Sequence, residues 1–316
     1  MTRTNVIVLA IVCAFVAGFA LISRNAFLLD LTFAALLFAV LGQAWNWISG
    51  YAGQVSFGHA LFFGCGAYAA AYANWHQSSP WLGIACGMLV AAAIAALVGF
   101  PSFRLRGHYF SIATIAIAAI AEIYVNSAGW LNGAVGIEYK LLPQGLANLQ
   151  FLSKTPWVLI ALAVFAAVQL LTMLLADSRL GYYLRAIRAN QDAAGSVGID
   201  ARAWKLRAFI ASAMASALGG SLYAQYTLLI DPSSAFSLPV SISIALVGVL
   251  GGLGTLWGPP IGALTYAFLA KYVAAQLGGS GRGLDLVIYG ALICIIAAWR
   301  PNGLAGALER LTARRT

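Results

Sequence analysis

Long apolar runs, most of them close to the length that crosses a bilayer, dominate this chain and leave few fold classes open. A membrane-spanning helix needs about 20 consecutive apolar residues, because its backbone polar groups must be satisfied inside the segment once water is excluded. Such spans are predicted over residues 5–22, 27–48, 55–75, 81–100, 109–127, 157–176, 206–228, 236–252, 259–277 and 284–299, the third, eighth and ninth being short or broken by glycine. Barrel strands would alternate apolar and polar residues, and these runs do not. Hydrophobic residues make up 62% of the chain and charged residues 9%, with mean hydropathy +0.87, more apolar surface than a soluble domain of this size could hide. The expected fold is all-α: a polytopic membrane helix bundle of about ten transmembrane helices, some short or broken, forming a single domain over residues 1–316.

Orientation follows from positive charge, which short loops retain on the cytoplasmic side. With both termini inside, thirteen basic residues are cytoplasmic: Arg3, Arg104, Arg106, Arg179, Arg185, Arg188, Arg202, Lys205, Arg207, Arg300, Arg310, Arg314 and Arg315. Five are outside: Arg24, Lys140, Lys154, Lys271 and Arg282. The expected topology is therefore N-in and C-in. This asymmetry, facing anionic membrane lipid, accounts for the net charge of +9 without a nucleic-acid partner. Arg3 and the apolar run ending at Ala17-Gly18-Phe19-Ala20 resemble a secretory leader, but a convincing small-x-small cleavage site is missing, so the first helix is expected to be retained.

Catalytic chemistry is hard to find in the sequence. The glycine-rich stretch 278–283 lacks the Lys-Ser/Thr of a phosphate loop, and His59, His76 and His108 are scattered. Cys13, Cys65, Cys86 and Cys294 all fall within predicted spans and read as small buried apolar residues rather than a disulfide or metal framework. Glu122 is the clearest intramembrane acid, read as hydrogen-bonded between helices or facing an interface, while Asp30 and Asp285 lie near span ends. No enzyme activity, bound cofactor or metal is expected of the chain itself.

Two apolar segments are interrupted by glycine. One reads Gly50-Tyr51-Ala52-Gly53-Gln54-Val55-Ser56-Phe57-Gly58-His59-Ala60 and runs on to Gly64-Cys65-Gly66-Ala67-Tyr68; the other reads Gly248-Val249-Leu250-Gly251-Gly252-Leu253-Gly254-Thr255-Leu256-Trp257-Gly258-Pro259-Pro260-Ile261-Gly262. Non-helical backbone at membrane depth survives only where protein covers it or a cavity wets it, and broken helices lining a path are a recurring transporter device. Close helix packing through small residues is the competing explanation for any single glycine. Taken as a pair, the segments favour a translocation pathway formed by Gly53, Gln54, Ser56, Phe57, Gly58, His59, Gly251, Gly252, Gly254, Thr255 and Trp257.

Between the apolar runs lies a polar interruption, residues 177–207, with six basic residues against three acidic ones. It must sit in water, and its organisation suggests a docking surface. Its core, Asp192-Ala193-Ala194 followed by Gly198, comes after Leu184-Arg185-Ala186-Ile187-Arg188.

Four stretches resemble one family: the first broken segment, Arg104-Leu105-Arg106-Gly107 to Thr114, Leu184 to Arg188, and Val249 to Pro259, with Arg300-Pro301-Asn302-Gly303-Leu304 as a family-like ending. Together they closely resemble the LivM-type permease of branched-chain amino-acid ABC importers, in the expected order over residues 27–305. The resemblance implies a multi-pass protein of a bacterial inner membrane, paired with a homologous LivH-type permease, two cytoplasmic ATP-binding subunits and a periplasmic substrate-binding protein. ATP and Mg would be held by the partner subunits.

Residues 177–207 would then be a coupling loop. Leu184, Arg185, Ala186, Ile187, Arg188, Asp192, Ala193, Ala194, Gly198 and Ile199 would form a short helix docked in an ATPase groove, with Asp where the family has Glu and without the I-x-L-P tail of the longer motif. Tyr183, Ile187, Ala194 and Val197 would supply the apolar contacts, and Arg185 and Arg188 would pair with acids on the partner. The implied function is import of leucine, isoleucine or valine by alternating access, with urea, short amides or aromatic acids as alternative cargo. An ion-coupled secondary transporter is the reading from another class, and it would need intramembrane acids that the sequence does not supply.

Overall fold

The computed structural model describes residues 3–105 and 107–277 and the isolated positions 291, 303 and 304. The predicted span 284–299, Arg106, Arg282, Asp285, Cys294, Arg300, Arg310, Arg314, Arg315 and most of the 300–304 ending lie outside the described residues.

The apolar runs form α1 (Arg3–Ile22), α2 (Ala26–Trp45), α3 (His59–Trp75), α4 (Pro80–Ser102), α5 (His108–Ser127), α6 (Thr155–Asp177), α9 (Ala201–Thr227), α11 (Leu238–Gly251) and α12 (Gly258–Leu277). Two short helices, α7 (Arg179–Ala189) and α8 (Gln191–Ser196), replace the single helix expected in the polar interruption, and α10 (Pro232–Phe236) precedes α11. Among the described residues, six helical segments are long and apolar enough to cross a membrane: α1, α2 with the π turn that follows it, α4, α5, α6 and the stretch from Pro232 to Gly251. Helix α3 has only 17 residues because the predicted span 55–75 begins as non-helical backbone. Helix α9 starts earlier than predicted, inside the polar interruption, because Asp200 caps it through Arg202 N and Ala203 N.

Among the described residues the chain is all-α but for an isolated bridge between Gly145 and Gln150 and one paired ribbon, β1 (Ile137–Glu138) with β2 (Leu229–Ile230), antiparallel with Ile137 opposite Ile230. It joins the α5–α6 and α9–α10 connections at one end of the bundle; α7 and α8 lie at the other. At the ribbon end, Lys154 pairs with Asp30 at 2.5 Å and the Tyr226 hydroxyl donates to the same carboxylate.

Helices α3, α4 and α9 pack on one another, and glycine allows the backbones of α3 and α9 to meet. A Cβ on Gly66 would stand 1.9 Å from the Ala217 carbonyl oxygen, and one on Gly220 would stand 1.9 Å from that of Phe63. Next to this seam Phe62 and Phe103 meet Phe209 edge to face, with ring centroids 5.2 and 5.5 Å apart. The opposite faces of α1, α4 and α5 expose Ile11, Phe15, Leu89, Leu97, Ile112 and Ile120, an apolar exterior suited to lipid. Cys13 and Cys65 are half-buried as expected of small apolar residues, whereas Cys86 sits on the outer face of α4.

Replacing Gly66 by Ala forces α3 away from α9 and lowers stability by about 1–3 kcal/mol, read as a fall in the thermal midpoint of the purified protein. An unchanged midpoint would show that the two backbones are not in contact.

Candidate functional site

Helix α2 does not stop cleanly. It passes through a π turn, Asn46–Gly50, and then runs as non-helical chain to Gly58 before α3 begins. Helix α11 ends at Gly251, and the chain turns through residues 252–257 into α12. Both turns use the left-handed conformation that glycine tolerates, at Gly53 (φ 69°), Gly252 (φ 123°) and Gly254 (φ 75°).

The two breaks lie against each other, and buried side chains serve their free backbone groups. Asn46 accepts from Gly254 N at 2.8 Å and donates to the Thr255 carbonyl at 3.0 Å. Gln43 and Gln169 both donate to the Leu256 carbonyl, at 2.7 and 2.9 Å. Trp45 Nε1 donates to the Ser56 carbonyl at 2.7 Å, and Ser49 Oγ donates to that of Gln54 at 3.1 Å. From α5, Ser111 donates to the Val55 carbonyl at 2.7 Å and Thr114 Oγ1 accepts from Phe57 N at 3.1 Å. Non-helical backbone inside a membrane protein is thus satisfied by protein groups, as the absence of water demands.

His59 opens α3 and is fully buried, its Nε2 2.8 Å from Ser212 Oγ. The Ser212 hydroxyl gives its one proton to the Ala44 carbonyl at 2.6 Å, so the serine oxygen can only accept, and Nε2 carries the ring proton. Nδ1 has no partner among the described residues. Ser56 and Gly58 are buried beside His59, Gln54 is 6% exposed, and Phe57 is half-buried. Thr255 Oγ1 closes its own turn on Gly252 O and Gly258 N, and Trp257 Nε1 reaches Asn5 at 3.4 Å. The expected pathway residues therefore come together as two adjoining breaks, while His59 packs away behind them against α9.

Helices α7 and α8 pack on the same region. Ser178 caps α7 and Asn190 caps α8. Gly198, at φ 85°, follows α8, and Ile199 N returns to the Ala194 carbonyl at 3.0 Å. Leu184, Ile187 and Ala194 turn inward and are buried in this chain, whereas Arg185, Ala186, Asp192, Ala193, Val197 and Gly198 lie on the outward side. Tyr183 packs on Trp204, with centroids 4.8 Å apart. Arg185 donates to the Ala176 carbonyl at 2.9 Å, and Arg188 donates to the Gly50 carbonyl at 2.5 Å, so both guanidinium groups have partners within the chain.

Sequence reasoning passed over Gln43, Asn46, Gln169 and Thr172, although polar side chains inside apolar runs were the available signal. It also placed Lys205 in a solvated loop, where the structure buries it at 4% exposure against Gln54 and Gln191. Glu122 is half-buried on α5. No group of three or more His, Cys, Asp or Glu that could hold a metal occurs among the described residues.

These features define a multi-pass, mostly helical membrane protein whose described interior is organised around two broken helices. Residues 27–297 match the family described as branched-chain amino acid transport system / permease component, and the chain belongs to that family. It is 27% identical to the high-affinity branched-chain amino acid transport system permease protein LivM of Escherichia coli strain K12, over 87% of this chain and 69% of that protein. The LivH permease of the same system and strain is 24% identical over 86% of this chain and 92% of its own length. A nucleoside ABC transporter permease, NupC of Lactococcus lactis, is 24% identical over 65% of this chain and 66% of its own.

Replacing Asn46 by Leu strips partners from the Gly254 N–H and the Thr255 carbonyl. The expected loss is roughly 2–4 kcal/mol for two buried groups left unsatisfied, measured by denaturant unfolding in detergent. A neutral outcome would mean that water reaches the breaks.

Proposed function

We propose that the chain is one membrane-spanning permease subunit of an ATP-driven importer, crossing a bacterial inner membrane about ten times with both termini in the cytoplasm. The observation that carries this reading is the α7–α8 pair: a capped, water-facing helical unit bonded through Arg188 to the first broken segment, joined to it again through Lys205 of α9, and lying against the second at Gly254. Asp192, Ala193, Val197 and Gly198 present a small outward surface suited to a groove on a cytoplasmic ATPase. The apolar residues Leu184, Ile187 and Ala194 hold the unit to this chain, so docking rests on its outer side.

ATP, Mg and hydrolysis belong to the partner ATPases. Their closure displaces α7 and α8, the adjoining breaks shift, and the cavity shared with a second permease opens to alternate sides. Similarity to both LivM and LivH supports a pair of homologous permeases. The second permease is placed against α5, which buries one stripe, Phe110, Thr114, Ala118 and Val125, and carries Glu122 half-exposed. A carboxylate costs several kcal/mol against lipid and less against protein donors. A periplasmic receptor delivers cargo to the ribbon end.

Branched-chain amino acids are the proposed cargo, on the names of the LivM and LivH relatives. The nucleoside permease among the relatives shows that cargo varies within this similarity, and urea, short amides and aromatic acids remain the alternatives.

The test is to co-purify the chain with its partner permease, ATPases and receptor, and to measure ATP hydrolysis with each class of solute. Leucine is expected to stimulate hydrolysis most. Stimulation by another solute would overturn the cargo, and failure of any ATPase to co-purify would overturn the importer. Gly198→Val, which strains a left-handed turn, is expected to lose the ATPase while the chain still inserts.

A further inference from the structure

Both breaks and both short helices converge on two cations. Arg188, in the last turn of α7, donates Nη1 to the Gly50 carbonyl at 2.5 Å. Its aliphatic stem lies over Gly53, where a Cβ would fall 2.9 Å from Arg188 Cγ. The same Nη1 lies over Gly254, where a Cβ would fall 2.4 Å away. One side chain therefore touches the first break at two points and the second at one, in a space that only glycine leaves free. Lys205, from the first turns of α9, is buried and donates to Gln54 Oε1 and to Gln191 Oε1, each at 2.7 Å. Gln54 belongs to the first break and Gln191 opens α8.

The chemistry suits a rigid connection. A backbone that has left the helix offers unpaired carbonyls, and charged donors make the stronger hydrogen bonds to them. Arginine adds a planar head that spreads over flat glycine backbone, whereas lysine supplies a compact charge that can serve two amide oxygens at once. With Arg188 joining α7 to the first break and Lys205 joining α8 to it, the first break has two separated attachments and cannot pivot about either alone; the second is bonded to the first through Asn46 and lies against the Arg188 guanidinium.

We propose that Arg188 and Lys205 form a two-cation linkage that makes the α7–α8 unit and the two glycine breaks move as one body, Arg188 being the positioning residue that carries displacement of α7 into both breaks. This rests on the reading of the chain as an ATP-driven permease for its role in transport, but the rigidity it asserts belongs to the chain alone. The exposed outward residues Ala193 and Val197 carry no hydrogen-bonding side chain for either cation, so docking through them survives when the linkage is cut.

The experiment has two arms. In the first, the full chain in lipid nanodiscs carries Val55→Cys and Ala193→Cys spin labels, and the distance distribution between them is recorded by pulsed electron paramagnetic resonance. It is expected to be narrow in the parent, broader with Arg188→Met or Lys205→Met alone, and broadest when both are added. A distribution that stays narrow in all variants overturns the linkage.

In the second arm, Arg188→Met is assembled with the partner permease, ATPases and receptor. ATPase co-purification and hydrolysis are expected to persist while leucine taken up per ATP hydrolysed falls roughly tenfold, within the range of coupling between sites. Unchanged uptake per ATP overturns the positioning role. If the parent chain recruits no ATPase, the importer reading fails, and the first arm still decides the linkage.

Discussion

Backbone that leaves the helix inside a membrane has no water to turn to, and the interior of this protein is arranged around that requirement at two places. Residues 51–58 and 252–257 are laid side by side so that shared side chains serve both, with Asn46 spanning from the end of α2 to Gly254 and Thr255. Gln43, Gln169, Trp45, Ser49, Ser111 and Thr114 complete the set from α2, the π turn after it, α5 and α6. A membrane helix loses nothing by being continuous, so a chain that breaks two and then satisfies the breaks with this many buried polar groups has a use for non-helical backbone.

In the proposed importer that use is mechanical. The polar pair α7–α8 lies at the bundle end opposite the ribbon, tied to the first break by Arg188 and, through Gln191, by Lys205. The ribbon end is fixed separately by β1–β2 and by the Asp30–Lys154 pair with the Tyr226 hydroxyl. Between the two ends, α3, α4 and α9 pack backbone to backbone through Gly66 and Gly220, forming a stiff block beside which the α2 and α11–α12 breaks are placed.

Much of this was legible in residue order. Spans of apolar residues announce the helices because bilayer thickness fixes their length. The caps at Ser178, Asn190 and Asp200 were passed over, so that one helix was expected where α7 and α8 stand and α9 was expected to start later than it does. The partners of Arg188 and Lys205 were not legible, since Gly50 lies 138 residues before Arg188 and Gln54 lies 151 before Lys205, and only tertiary packing brings them together. The apolar spacing of Leu184 and Ile187 fits an outside partner or the chain's own body equally well, and burial decides for the latter. Nor does glycine announce its duty: Gly53 and Gly254 turn the chain, while Gly66 and Gly220 admit a neighbouring backbone.

Whether these breaks are driven from the cytoplasm by ATP, and not by an ion gradient, is tested most directly by leucine uptake into vesicles holding the chain with its partner permease, ATPases and receptor. Uptake that requires ATP on the ATPase side and is indifferent to a collapsed ion gradient is the predicted result. Uptake by vesicles that hold this chain without any ATPase, driven by an ion gradient alone, would contradict it.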